Sequence, residues 1–217
     1  MINSCIRPCL LLLFCFSLLH SGAQLTLFGG PQTSTAKYII RGADQTVDSK
    51  TGFNAGVSFK TLFEGPVYFS PLLYYNQKGY KVTFNRQAFP PDSNAKNNDV
   101  TVHSIELAPL LQINFSKGVS YGFFRFGPSA DFAINGSETF DSLNNKRVSR
   151  DMVFSFSDYS YVTLSANAQL GFQHKSGFVI FVHYQHGLTN LNNADYGPTI
   201  FHRVAGVSVG YKFGKKR

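Results

Sequence analysis

Apolar and polar residues alternate along most of this chain, and that period of two belongs to strands whose faces meet different surroundings. The clearest run sets Ile105, Leu107, Pro109, Leu111, Ile113 and Phe115 against Ser104, Glu106, Ala108, Gln112 and Asn114, broken by Leu110. A second sets Val162, Leu164, Ala166, Ala168, Leu170 and Phe172 against Thr163, Ser165, Asn167, Gln169 and Gln173. Further on, Phe178, Ile180, Val182 and Tyr184 oppose His183 and Gln185, and Ala205, Val207, Val209, Tyr211 and Phe213 oppose Ser208 and Lys212. Extending the pattern predicts eight strands, over 25–40, 52–63, 66–80, 101–116, 119–134, 159–174, 177–189 and 201–213. Each exceeds the roughly 9–11 residues that a tilted membrane strand requires.

The connections alternate too. Glu64-Gly65, Lys117-Gly118 and Lys175-Ser176-Gly177 are tight, whereas 41–51, 81–100, 135–158 and 190–200 read as long loops. An even number of antiparallel strands with short turns at one end and long loops at the other predicts a transmembrane up-and-down β-barrel. A soluble barrel would turn its apolar face inward; a membrane barrel inverts this. The aromatic positions choose between them. Phe63, Phe115, Phe172, Phe178 and Phe213 all fall on the apolar face at the short-turn end, as a girdle at the periplasmic lipid interface would. Pro71, Pro109 and Pro128 lie inside strands, where each removes a ladder donor, so β-bulges or bends are expected there, on one side of the wall.

Composition agrees with a β protein. Phenylalanine and tyrosine number 22 and 11, and charged residues make up 15%. Residues 1–23 read as a secretory signal: Arg7 is the charged residue, Leu10–Leu19 is too short to span a bilayer, and Ser21-Gly22-Ala23 offers a cleavage site before Gln24. Cys15 suggests a lipoprotein, but bulky Phe14 argues against it. Cys5, Cys9 and Cys15 are the three cysteines, so residues 24–217 hold neither a disulfide nor a thiolate metal site. The formal charge of +8 owes part of its excess to Lys215-Lys216-Arg217, read as a solvated tail, and no nucleic-acid motif accompanies it.

Several segments carry a family resemblance: Gly52-Phe53-Asn54-Ala55-Gly56, Pro71-Leu72-Leu73-Tyr74-Tyr75-Asn76-Gln77-Lys78-Gly79, Ile105-Glu106-Leu107-Ala108-Pro109-Leu110-Leu111, Gly127-Pro128, Gly187-Leu188-Thr189-Asn190 and Gly210-Tyr211-Lys212-Phe213. Through them residues 24–217 resemble the PorT-like outer-membrane β-barrel family of Bacteroidetes-type bacteria, whose members also carry prolines within strands. The resemblance implies a barrel in the outer membrane. For function it offers an accessory place in a protein-export system, the setting of the founding member.

By parity Lys60, Glu106, Arg125, Asp131, His183 and Lys212 point inward. An eight-stranded barrel is just wide enough for side chains to fill it, and an unpaired buried charge is costly. These six are therefore expected to pair with one another as a polar plug. An outer-membrane lipid- or peptide-modifying enzyme is the alternative, with His103, His183, His186 or His202 as base, though no motif singles out a nucleophilic serine. His183 and His186 lie three apart on a strand, on opposite faces, so they do not form a metal pair. Asn114-Phe115-Ser116 and Asn135-Gly136-Ser137 match the glycosylation sequon without meaning in a bacterial barrel. A soluble lipocalin-like carrier would need an apolar lumen. The expectation is a monomeric, non-enzymatic barrel without cofactor or metal, with both termini periplasmic. It would contact outer-membrane lipid, and protein partners through its extracellular loops or periplasmic end.

Overall fold

The computed structural model describes residues 24–86, 89–144 and 146–214. The signal at 1–23 and the basic tail at 215–217 lie outside these residues. Among them are ten strands: β1 Gln24–Ile40, β2 Ala43–Asp44, β3 Thr46–Glu64, β4 Val67–Thr83, β5 Asn97–Asn114, β6 Tyr121–Asp141, β7 Arg147–Asp151, β8 Val162–Gln173, β9 Phe178–Gly187 and β10 Thr199–Phe213. Eight of them form one antiparallel ring in the order β1-β3-β4-β5-β6-β8-β9-β10, and β10 returns to β1 from Leu25↔Phe213 to Ile39↔Thr199. Closure removes both sheet edges, so the ring is an all-β antiparallel barrel.

The alternating faces are where parity placed them. Along β9, Phe178, Ile180, Val182 and Tyr184 are exposed, while Val179, Phe181, His183 and Gln185 are buried. The outer wall is apolar all round, with Leu27, Leu73, Leu107, Phe126, Leu164, Leu170, Val207 and Val209 each about half exposed. Leaving that much contiguous apolar surface in water would be unfavourable, whereas lipid accepts it.

Three of the four long loops are shorter than the sequence predicted. The connection after β1 is the two-residue turn Arg41-Gly42, both at positive φ (48° and 78°), which closes the β1–β2 hairpin. β4 continues to Thr83, β5 begins at Asn97, and β6 runs on to Asp141 and pairs with β7 inside the segment expected to be a loop. Towards the long-loop end the outer face turns polar at Lys81, Thr83 and Ser137 while Val82, Val100, Glu138 and Phe140 stay buried inside, so the apolar outer stripe that marks the strands ends although the ladder continues. The first residues predicted for the sixth strand, Tyr159 to Tyr161, instead pack in the connection before β8, which starts at Val162. The wall is consequently lopsided: β3 and β6 have 19 and 21 residues, β8 and β9 have 12 and 10.

The prolines do cluster, but without bulges of their own. Pro71 pairs directly with Pro109, and the β5–β6 register carries Pro109 opposite Pro128. Pro128 in turn faces Ala166. A proline can sit opposite a ladder partner only where its nitrogen points to the other neighbour, so the missing donors of Pro109 and Pro128 face each other. There the β5–β6 ladder opens from Leu107↔Ala130 to Leu111↔Phe126 with its register intact. The register shifts fall elsewhere, between Ser49 and Asn54, between Leu62 and Glu64, and beside His103. Two inward glycines make room for the filling. A Cβ at Gly171 would stand 2.4 Å from Phe123 Cζ, and one at Gly206 2.6 Å from His183 Cε1.

Candidate functional site

Inward side chains form stacked layers. At the short-turn end, the Lys60 ammonium donates to the Tyr121 hydroxyl and lies over the rings of Tyr68 and Tyr121, at 4.9 and 4.6 Å from their centroids. Tyr121 donates to Gln173 Oε1 at 2.6 Å. Lys212 Nζ donates to Gln24 Oε1 at 3.4 Å. Deeper in, Arg125 Nε donates to Gln112 Oε1 at 2.7 Å, and the guanidinium lies 4.4 Å from the Phe123 ring centroid. Around it Phe28, Leu72, Tyr74, Ala108, Leu110, Phe123, Val179 and Phe181 form one apolar cluster.

A polar layer follows. Ser208 Oγ donates to Asn54 Oδ1 (2.9 Å), Asn54 Nδ2 to Gln32 Oε1 (3.1 Å), Gln32 Nε2 to Asn76 Oδ1 (2.5 Å), and Asn76 Nδ2 to Glu106 Oε2 (2.7 Å). This chain crosses β10, β3, β1, β4 and β5 in turn. Gln185 Nε2 reaches Glu106 Oε1 from the far wall at 3.1 Å. Asp131 is ion-paired with Lys78, both about 95% buried. His183 Nε2 lies 3.4 Å from Gln32 Oε1.

Lys60, Glu106, Arg125, Asp131, His183 and Lys212 all sit on the inner side of the wall, but among the described residues they do not form ion pairs with one another. Arg125 and Asp131 are six residues apart along β6, about 20 Å at strand rise, so they occupy different layers. The cation that answers Asp131 is Lys78, which the sequence reading passed over. Its strand carries Leu72-Leu73 and Tyr74-Tyr75, so both faces look apolar; the shared parity with Asn76 was the available signal. The aromatic set Phe63, Phe115, Phe172, Phe178 and Phe213 lies exposed at the short-turn end, at 66%, 63%, 44%, 46% and 46%.

The long-loop end carries a third layer. Tyr38, Tyr80, Val82, Val100, Met152, Tyr159, Leu191 and Ile200 form a second apolar cluster, to which Met152, Tyr159 and Leu191 contribute from the connections. Glu138 anchors it, accepting from Arg150 Nε (2.8 Å), Tyr159 Oη (2.7 Å) and Asn98 Nδ2 (3.0 Å). Burial, with Tyr80 and Glu138 nearby, pushes the Tyr159 hydroxyl well above its ordinary pKa, which keeps it a donor. Glu138 and Arg150 lie in the segment read as a loop, and Tyr159 was assigned to the sixth strand rather than to the connection that carries it into this cluster. Glu138→Gln is expected to cost about 1–3 kcal/mol locally, because it weakens charge-assisted bonds at a buried acceptor. Faster hydrogen exchange at Met152 and Ser160, with β8 and β9 unchanged, would show it; uniform exchange rates would contradict it.

A family model described as an outer membrane protein beta-barrel domain matches residues 19–193. The chain belongs to that family. It is a small outer-membrane β-barrel. No curated protein sequence matches the chain. Among solved structures it is similar to Ail, the attachment invasion locus protein of Yersinia pestis. The identity is 15%, the alignment covers 88% of this chain and 99% of that one, and the TM-score is 0.47. It is also similar to the outer membrane protein OprG of Pseudomonas aeruginosa (14% identity, 90% and 98% covered, TM-score 0.48). Neisserial surface protein A shares 12% identity over 89% of this chain and 98% of its own, with a TM-score of 0.41.

Among the described residues no group of three or more His, Cys, Asp or Glu side chains is placed to hold a metal ion. His186 is exposed on the wall, and His183 is buried on the other face.

Proposed function

We propose that the barrel is closed to solutes and acts without enzymatic chemistry, as a monomer that presents its ends to partners. Both termini then lie in the periplasm and the long loops face outward. The observation that carries this is the continuous filling of the interior: the Ser208-to-Glu106 hydrogen-bond chain with an apolar cluster on each side. Layers stacked in this way support a lumen closed to solutes. The outward contact surface is supported by Phe156 and Tyr196, which are 94% and 99% exposed. Their loops are tied together where Asn193 N donates to Asp158 O (2.7 Å) and Asn193 Nδ2 to Ser155 O (2.9 Å). Exposed aromatics on restrained loops suit protein contacts. The motif resemblance to the PorT-like family supports an accessory place in protein export as the setting.

A Ser-His-carboxylate enzyme fits less well. His183 Nδ1, where an orienting carboxylate would bind, has no hydrogen-bond partner among the described residues. Its Nε2 faces an amide rather than a hydroxyl. Purified, refolded barrel in a planar lipid bilayer is expected to give no stepwise current above the bare membrane. Stable ohmic steps would overturn the closed lumen.

A further inference from the structure

Eight strands close the ring, and β7 stands outside that closure. β8 covers one flank of β6 along 121–132, and above it β7 takes over along 137–141. β7 itself pairs with β6 alone. The phase of the ladder decides which of its main-chain groups are used. Ser142 N donates to Lys146 O, and Met152 N donates to Gly136 O. Alternation between these two bonds turns Lys146, Val148, Arg150 and Met152 towards β6, and turns Arg147, Ser149 and Asp151 to the other side. Among the described residues, no hydrogen bond is made to the N–H and C=O groups of those three. All three are exposed. Their side chains share the outer face, whereas Arg150 points inward and is held by buried Glu138.

We propose that β7 is a docking edge for an extended segment of a partner protein, added antiparallel. That segment carries a basic residue opposite Asp151 and, four positions later, an acidic residue opposite Arg147. An open edge is a template for another strand. A strand so placed exchanges pairs of main-chain hydrogen bonds with Arg147, Ser149 and Asp151, and two cross-strand ion pairs fix its direction and register. This role rests on the reading of the long-loop end as the outward partner surface. β7 carries the same charge pattern, so a second copy matches the edge chemically. Antiparallel neighbours in one sheet are, however, related by a two-fold axis perpendicular to that sheet. With the wall upright in a bilayer the axis lies in the membrane plane and inverts the second copy, so two barrels of one membrane do not pair this way.

The probe is a fluorescein-labelled peptide reading Thr-Lys-Val-Thr-Val-Glu-Thr, followed by anisotropy against the full folded barrel in a zwitterionic detergent. Saturable binding is expected, about tenfold tighter than for a peptide with Lys and Glu exchanged, in which both ion pairs become like-charge contacts. The double variant Arg147→Asp/Asp151→Arg should invert that preference. Ser149→Pro should abolish binding in a folded barrel, because the Ser149 N–H faces the open edge and the β6 ladder loses no donor. Peptide should also slow amide exchange at Arg147, Ser149 and Asp151 by about tenfold or more, with Val148 and Arg150, already bonded to β6, little changed. No saturable binding, equal affinity for the two peptides, or full binding by Ser149→Pro would overturn the docking edge. Heat-dependent electrophoretic mobility checks folding, and if Ser149→Pro does not fold, the charge exchange decides. Sedimentation that finds dimers of the parent barrel, dissolved by Ser149→Pro, would assign the edge to a second copy and overturn the partner segment. The purified barrel reports on the edge alone. Its failure leaves standing the closed lumen, tested by bilayer current, and the contact surface of Phe156 and Tyr196.

Discussion

Lys78→Met is expected to destabilise the barrel by about 3–5 kcal/mol, a large share of the stability of a domain this size. Lys78 and Asp131 form the ion pair of the polar layer, and both are about 95% buried. Removing the ammonium leaves the Asp131 carboxylate in a low-dielectric interior, directly opposite Glu106 on the neighbouring strand. Asn76 and Gln185 already serve Glu106 and are not free to solvate a second carboxylate. The double variant Lys78→Met/Asp131→Leu should recover most of the loss, because two apolar side chains of similar size remove the pair and its desolvation cost together. Urea titration in phospholipid vesicles, followed by electrophoretic mobility, gives both numbers. A single variant as stable as the parent would mean that water reaches this layer.

A charge placed on the other face should be nearly as damaging. Val182 is the fifth of the ten residues of β9 and is 49% exposed on the wall. Val182→Arg is expected to cost about 2–4 kcal/mol, the penalty for a cation near the bilayer midplane. Phe178→Arg, at the short-turn end of the same face, should cost about 1 kcal/mol or less, since its guanidinium reaches the headgroups. The depth dependence is the informative part. A carrier with this wall in water would show no gradient between the two sites, and Val182→Arg would be close to neutral.

Much of the architecture was legible because lipid and packed interior are two sharply different environments, and a strand between them records both in alternate residues. The alternating runs of β5, β8, β9 and β10 are read correctly for that reason, with the start of β8 placed three residues early. The record stops where the outer face turns polar and the apolar stripe ends. Gly136 to Asp141 are mostly polar on both faces, so the tall part of β6 and its partner β7 passed for loop. The turn Arg41-Gly42 was hidden in a stretch assigned as eleven residues of loop for the same reason. Register was a second loss. Pro71, Pro109 and Pro128 were visible as donors missing from the ladder, but only their alignment in one cross-strand row explains how the sheet absorbs them without a shift. The interior was legible as a list of inward residues and not as contacts. Parity gives the face of a side chain, whereas partnership depends on height along the axis, and height follows from register. Hence six inward residues could be named while Lys78, the partner of Asp131, went unnoticed.

The most direct test is single-site spin labelling along β9 in lipid vesicles. Residues 24–217 contain no cysteine, so each introduced cysteine reports alone. Labels at positions 178, 180, 182 and 184 should collide with oxygen, which concentrates in lipid, and not with a water-soluble nickel chelate. Labels at 179, 181, 183 and 185 should be shielded from both, because their neighbours fill the interior. Nickel accessibility at 183 and 185 would contradict the account by revealing an aqueous lumen, and nickel accessibility at 180 and 182 would take the wall out of the membrane.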